Sequence, residues 1–344
     1  MSGTEESKMS TNQMRARSFE LTLGALLALG AVSCGGSQKQ PEQPPLLEQT
    51  DEKVAAPSSK KVQAGLDAIK AEKFAEAETL LAEASRETPE DPQAAYYYGV
   101  ALEGVGKGPE AETSYKRALT LEPKLTEASQ NLSALLLDAE RPADSLAVAD
   151  AGLKNTPEDP GLLSNRALSL DALESPEAIP AYEKALAKKP DEPWLRYNYA
   201  AVLALNEKPA EAKKELVKVP LDDPQLAAGV AQLYGQLKDF PACVAALDKA
   251  IAKNKTTDLL LHRGVCKHSA GDDAGAGADI KAAVDADPTS AAAHYYYGKH
   301  LAGAKKAAEA KTHLQKAAEL GKGTPIGDKA AQALAELSGP AKKK

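Results

Sequence analysis

Aromatic side chains are scarce in this chain: 3 Phe, 1 Trp and 11 Tyr make up 4% of its 344 residues. So few large rings argue against one thick core. The dominant Ala, Leu, Glu and Lys instead suit many thin contacts in a long helical array. Positive charge is also short, with 42 Lys and Arg against 49 Asp and Glu and a net charge of −7. That balance argues against nucleic acid as a partner, which selects for a clustered basic face. The one dense basic run, Lys342-Lys343-Lys344, is a terminal tail. Cysteine is limited to Cys34, Cys243 and Cys266. No nucleophile–base pair, carboxylate dyad or metal-ligand set stands above the background, so no catalytic residue, metal or cofactor is expected.

The N-terminus reads as an address. Arg15 and Arg17 precede an apolar run from Leu21 to Val32, which has signal-peptide length and is too short to span a bilayer. Ala31-Val32-Ser33-Cys34 followed by Gly35-Gly36 resembles the bacterial lipobox, in which the signal is cleaved before a cysteine that is then acylated. The match departs from the usual pattern at Ala31, where Leu is customary, and at Glu20. Reading from Met14 gives the more ordinary signal MRARSFELTLGALLALGAVSC. The resemblance implies lipidation at Cys34, with 1–33 as signal peptide. Residues 34–57, rich in Pro, Gln and charge, hold too little apolar surface to offset ordering and read as a disordered tether.

A period of 34 governs the rest. Tyr-Tyr-Tyr-Gly occurs at Tyr96–Gly99 and again at Tyr295–Gly298. The small residues Gly65, Gly99, Ser133 and Ala167 are spaced by 34, and Ala200, Ala231, Gly264 and Gly298 continue the series after short deletions. A second small series runs from Ala77 and Ala111 through Cys243 to Ala310, and a third from Ala84 and Ala118 to Ala317, with Val219 as its odd member. Pro89, Pro123, Pro157, Pro190 and Pro288 close units, as expected of a residue that lacks an N–H and crowds the preceding turn. Gly106 and Gly271 fall where two helices turn. The small residues of the first and second helices are expected to meet where the two pack closest.

Three residue classes repeating in register over segments such as AYYYGVALEGVGKGPEAETSYKRALTLEP resemble the tetratricopeptide repeat (TPR). The resemblance implies an all-α right-handed superhelix of about eight helix-turn-helix units over 58–320, followed by a capping helix and basic tail over 321–344. The fifth unit runs early into VPLDDP, so its second helix should be a turn short, with a kink near Lys218–Pro224. In this family the first helix of each unit lines the concave face, chiefly at its second, fifth, sixth, ninth and twelfth positions. The sixth positions of three consecutive units are Asn131, Asn165 and Asn198, resembling a ladder of amides that grips an extended backbone; common use of Asn at this position is the alternative. The fifth adds Tyr96, Tyr197 and Tyr295, and the second adds Trp194 as binding anchors, against which stands plain helix packing. Tyr98, Tyr199 and Tyr297 read as packing residues.

Gly104-Val105-Gly106-Lys107-Gly108 imitates a phosphate loop but sits in a helix turn without a preceding strand. The histidine pairs His262/His268 and His294/His300 are six apart, out of step with the spacing of four that aligns ligands on one helix face, and the five histidines read as solvated or groove-lining. Cys243 occupies a buried small-residue position, so Cys243 and Cys266 are expected as free buried thiols. The resulting expectation is a non-enzymatic, lipid-anchored adaptor that binds other proteins or peptides and resides in the bacterial envelope, at the outer membrane facing the periplasm. The rival readings are a soluble cytoplasmic TPR co-chaperone or regulator, and the recognition arm of an enzyme.

Overall fold

The computed structural model describes residues 57–338. The apolar run, Cys34, most of the Pro/Gln-rich stretch and the lysine tail lie outside the described residues. Among the described residues there are seventeen α-helices and no strand. The chain divides between Lys218 and Val219 into two compact units.

The N-terminal unit holds five helix pairs: α1 (Lys60–Lys70) with α2 (Phe74–Glu87), α3 (Pro92–Gly104) with α4 (Gly108–Leu121), α5 (Thr126–Asp138) with α6 (Pro142–Leu153), α7 (Pro160–Ala172) with α8 (Ala178–Lys188), and α9 (Pro193–Leu205) with α10 (Pro209–Leu216). The C-terminal unit holds three pairs and a lone helix: α11 (Pro224–Gln236) with α12 (Phe240–Lys253), α13 (Thr257–Ser269) with α14 (Asp273–Ala286), α15 (Ala291–Gly303) with α16 (Ala307–Leu320), and then α17 (Pro325–Ser338). Within each unit a helix packs on its partner and on the next pair, and α17 covers α15 and α16. The α10 helix has 8 residues where the other second helices have 11 to 14, so the shortened repeat and the division between units coincide.

The helix starts are written in the sequence. Asp91, Asp159 and Asp223 accept a hydrogen bond from a first-turn N–H, and each is followed by proline, which needs no donor there. Ser59, Thr256 and Ser290 cap in the same way.

Between the helices of every pair, one residue adopts the left-handed conformation. Gly106 and Gly271 take it with φ of 78° and 88°, as expected. The other six turns place Glu72, Glu140, Glu174, Glu207, Lys238 and Lys305 there, at φ from 52° to 61°. A side chain with a Cβ meets a steric cost in that region, so packing of the helices on either side must hold these turns.

The small residues of the two helices meet as expected, with Ser145 Oγ donating to the Ser133 carbonyl at 2.7 Å, and the notches of the first helix also take up a large side chain. A Cβ on Gly99 would lie 2.6 Å from the Tyr115 ring, and one on Gly298 would lie 2.8 Å from Leu314 Cγ. At Gly264 it would meet Ile280 Cγ1 at 2.7 Å, and the Ala276 carbonyl at 3.3 Å. The residue sixteen positions on therefore fills the notch that the glycine leaves. Ala77, Ala111, Ala212, Ala276 and Ala310 of the second series are fully buried, consistent with close approach of the backbones.

The two thiols expected to be free are paired. Cys243 on α12 and Cys266 on α13 are joined in a disulfide, with Cα atoms 6.2 Å apart. Periodicity places Cys243 in a core position, but it does not show the facing of the two helices that brings Cys266 within bonding reach.

Candidate peptide-binding face

In the N-terminal unit the ladder asparagines have three different environments. Asn131 is buried, and its Nδ2 donates to the hydroxyls of Tyr96 and Tyr115, both at 3.4 Å. The Tyr115 hydroxyl in turn donates to Glu103 Oε2 at 2.7 Å. Tyr96 is itself buried, with its ring centroid 5.0 Å from that of Tyr97 and 6.0 Å from that of Tyr115. Asn131 and Tyr96 therefore tie the second repeat to the third.

Asn165 is half-buried, and its Nδ2 donates to the Gln130 carbonyl at 3.0 Å and to Ser133 Oγ at 2.8 Å. It belongs to a polar seam between the third and fourth repeats. There Ser145 Oγ donates to the Ser133 carbonyl at 2.7 Å, and Ser169 Oγ lies 2.8 Å from Ser145 Oγ. Gln130 Nε2 reaches the Asp159 cap at 2.7 Å. Asn198, also half-buried, has no side-chain hydrogen bond among those described. Beside it on α9, half-buried Trp194 stands edge-on to buried Tyr197, with centroids 5.9 Å apart and an angle of 85°. Trp194, Tyr197 and Asn198 thus share one stretch of helix, and Asn198 offers both a donor and an acceptor.

Two half-buried carboxylates on first helices add to the residues singled out from the sequence. Glu103 and Asp171 both stand at the twelfth position, and each accepts a hydrogen bond from a tyrosine of its own repeat, Tyr115 at 2.7 Å and Tyr182 at 2.9 Å. Burial raises Glu103 to about 7 and Asp171 to about 6, and the tyrosine hydroxyl offsets part of that rise. An acidic residue twelve positions ahead of a tyrosine, as at Glu103 and Tyr115, is the sequence signal. Between α6, α7 and α8, an open cleft of about 370 Å³ has Arg166, Lys154 and Lys184 on its rim. Arg166 is held there by Asp150 at 2.8 Å and Glu177 at 3.3 Å.

In the C-terminal unit, half-buried Tyr295 packs edge-on to Tyr296, with centroids 5.1 Å apart. Solvation describes His268 alone among the five histidines: it is exposed and pairs with Asp273 at 2.6 Å. His294 is buried, and its Nδ1 lies 2.8 Å from that of His313. Its Nε2–H donates to the Pro288 carbonyl at 3.1 Å, which leaves Nδ1 to accept from His313. Burial lowers the pKa of both rings. Tyr297 packs edge-on to His313 at 4.8 Å, a packing role like that of Tyr199 against Tyr182. On α13 and α14, Asp279 is buried and accepts from Arg263 through both oxygens, at 2.5 and 2.8 Å, and from Lys267 at 2.8 Å. Those hydrogen bonds hold its carboxyl below the usual range against the opposing effect of burial.

No described helix is long and apolar enough to cross a membrane. No curated protein matches the chain. Among solved structures it is similar to PilF of Pseudomonas aeruginosa, at 16% identity and a TM-score of 0.50, over 56% of this chain and 90% of that one. Yeast Tom70 is 17% identical with a TM-score of 0.47, over 86% and 67%. A tetratricopeptide repeat protein of Parabacteroides merdae is 18% identical with a TM-score of 0.47, over 72% and 98%. Likeness at these identities concerns the fold alone. Family models described as tetratricopeptide repeat match residues 62–131 and 231–291 in one case and 175–237 in another, together more than half of the chain. The eight helix pairs, their glycine notches and these matches agree: the chain belongs to the tetratricopeptide-repeat family, a fold that suggests a scaffold for protein–protein interaction.

Proposed function

We propose that this protein is a non-enzymatic adaptor that is anchored by lipid at Cys34 and binds a segment of a partner protein on the first-helix face of its N-terminal unit. The observation that carries the reading is the fifth repeat, where Trp194, Tyr197 and Asn198 stand together and the Asn198 amide is uncommitted. An aromatic anchor beside a free amide can bury an apolar side chain while pairing with a peptide bond, so it binds a segment without demanding one sequence. Asn131 and Tyr96 are buried and bonded to each other between the second and third repeats, so they serve the packing of repeats and leave contact with a partner to the fifth.

The anchor rests on the lipobox-like Ala31-Val32-Ser33-Cys34 after an apolar run, and it places the adaptor in the bacterial envelope, at the outer membrane facing the periplasm. Two acyl chains would hold it firmly, where a single chain binds marginally. Membrane fractionation with mass spectrometry of the mature N-terminus tests this part. A diacylglyceryl-modified Cys34 in the membrane fraction is expected. An unmodified chain in the soluble fraction, unchanged by Cys34→Ala, would favour a soluble co-chaperone or regulator.

A further inference from the structure

The C-terminal unit brings together three soft or borderline metal ligands. His262 and Cys266 lie four residues apart on α13, so they share one helix face. Cys243 meets them from α12. The two sulfurs and a ring nitrogen of His262 all lie within 4.8 Å of one another. Zn–S bonds of about 2.3 Å and Zn–N bonds of about 2.0–2.1 Å put the ligands of one tetrahedral ion roughly 3.5–4 Å apart, so once the S–S bond is broken side-chain rotation can close the cluster on an ion. Cys243 and Cys266 are buried, and the His262 Nε2 atom is buried with no hydrogen-bond partner, the one such side-chain atom among the described residues. A buried polar nitrogen left unpaired is costly, and coordination is one way to satisfy it.

We propose that Cys243, Cys266 and His262 form a site for one soft or borderline divalent metal ion, Zn²⁺ foremost, which becomes available when the Cys243–Cys266 disulfide is reduced. A dithiol reductant supplies two electrons and two protons to the disulfide, is itself oxidised to a disulfide, and leaves two thiols. Zn²⁺ then displaces both thiol protons and is neutralised by the two thiolates, with the imidazole as third ligand and a fourth position open to water. Thiolate and imidazole donors favour zinc over magnesium or calcium, which prefer oxygen. The same pair of helices is thus bridged covalently when oxidised and through a metal when reduced. This inference is independent of the peptide-binding face.

The test uses the full-length chain with Cys34→Ser to remove the third thiol. It is reduced with dithiothreitol, desalted anaerobically and titrated with Zn²⁺ alone, with Co²⁺ as a spectroscopic probe. One metal ion per reduced chain is expected, none per oxidised chain, and a thiolate-to-Co²⁺ charge-transfer band in the reduced sample alone. His262→Gln should weaken binding at least about 10-fold and the double Cys243→Ser, Cys266→Ser variant should abolish it. Circular dichroism of the same samples should show retained helix and a higher Tm for the reduced chain with zinc than without it. Absence of uptake after reduction, equal uptake by the oxidised chain, undiminished binding by folded His262→Gln, or a reduced chain that unfolds and stays unfolded in zinc would each overturn the proposal.

Discussion

At the residue scale, equal positions in the repeat carry different burdens. Asn131 and Asn198 are both sixth in their helices, yet one bonds two tyrosine hydroxyls in a buried seam and the other has no described side-chain bond. Asn131→Ala should therefore lower stability by about 1–2 kcal/mol, while Asn198→Ala should leave it within about 0.5 kcal/mol of the parent. Urea unfolding followed by circular dichroism checks both. Glu103 makes a prediction with a definite sign. Its pKa in the folded protein is raised to about 7, so between roughly pH 4.5 and 7 the folded state holds a proton that the unfolded state has released. Stability should fall as pH rises through that window. Glu103→Gln should flatten the fall and make the protein more stable at pH 8, by up to about 3 kcal/mol, with little gain at pH 4.5. Melting curves across that range decide it, and an unchanged pH profile would contradict the assignment.

At the scale of elements, the turn between paired helices is the recurring device. Gly106 has nothing within 4 Å of where a Cβ would sit, so its role there is conformational. Gly106→Ala should cost about 1 kcal/mol, and Glu140→Gly in the next turn should be neutral or stabilising by up to about 1 kcal/mol. The opposite signs at equivalent positions are the check. The helices were legible in the sequence because packing repeats every 34 residues and local signals agree with it: caps such as Asp91 and Asp159, prolines after them, and small residues at the notches. The short α10 was legible for the same reason, as a broken register before Pro220. What those small residues face was not legible, since the periodicity of Gly99 does not say that Tyr115 fills its notch. The state of Asn131 was hidden likewise, because its burial depends on tyrosines 35 and 16 residues away in sequence. The spacing of four puts His262 and Cys266 on one face of α13, but nothing in the sequence marks Cys243 as their neighbour.

At the scale of the whole molecule, division at Lys218 places the raised carboxylates and the disulfide in different compact units. Scanning calorimetry should therefore resolve two transitions. Reduction of the Cys243–Cys266 bridge, which spans 23 residues, should lower one of them by an amount equivalent to about 3 kcal/mol. Raising the pH from 5 to 8 should lower chiefly the other. A single transition that answers equally to both treatments would mean that the two units unfold as one. Such independence suits an adaptor, whose binding unit can stay folded when redox conditions alter its neighbour.

Partner binding at the fifth repeat is tested most directly by a photo-crosslinking amino acid placed at Asn198 in cells, with Lys214, exposed on α10, as the control position. One discrete crosslinked partner is expected from position 198, lost when Trp194→Ala is added and absent from position 214. Crosslinking from Lys214 but not Asn198, or crosslinking indifferent to Trp194, would put the binding surface on another face of the repeats.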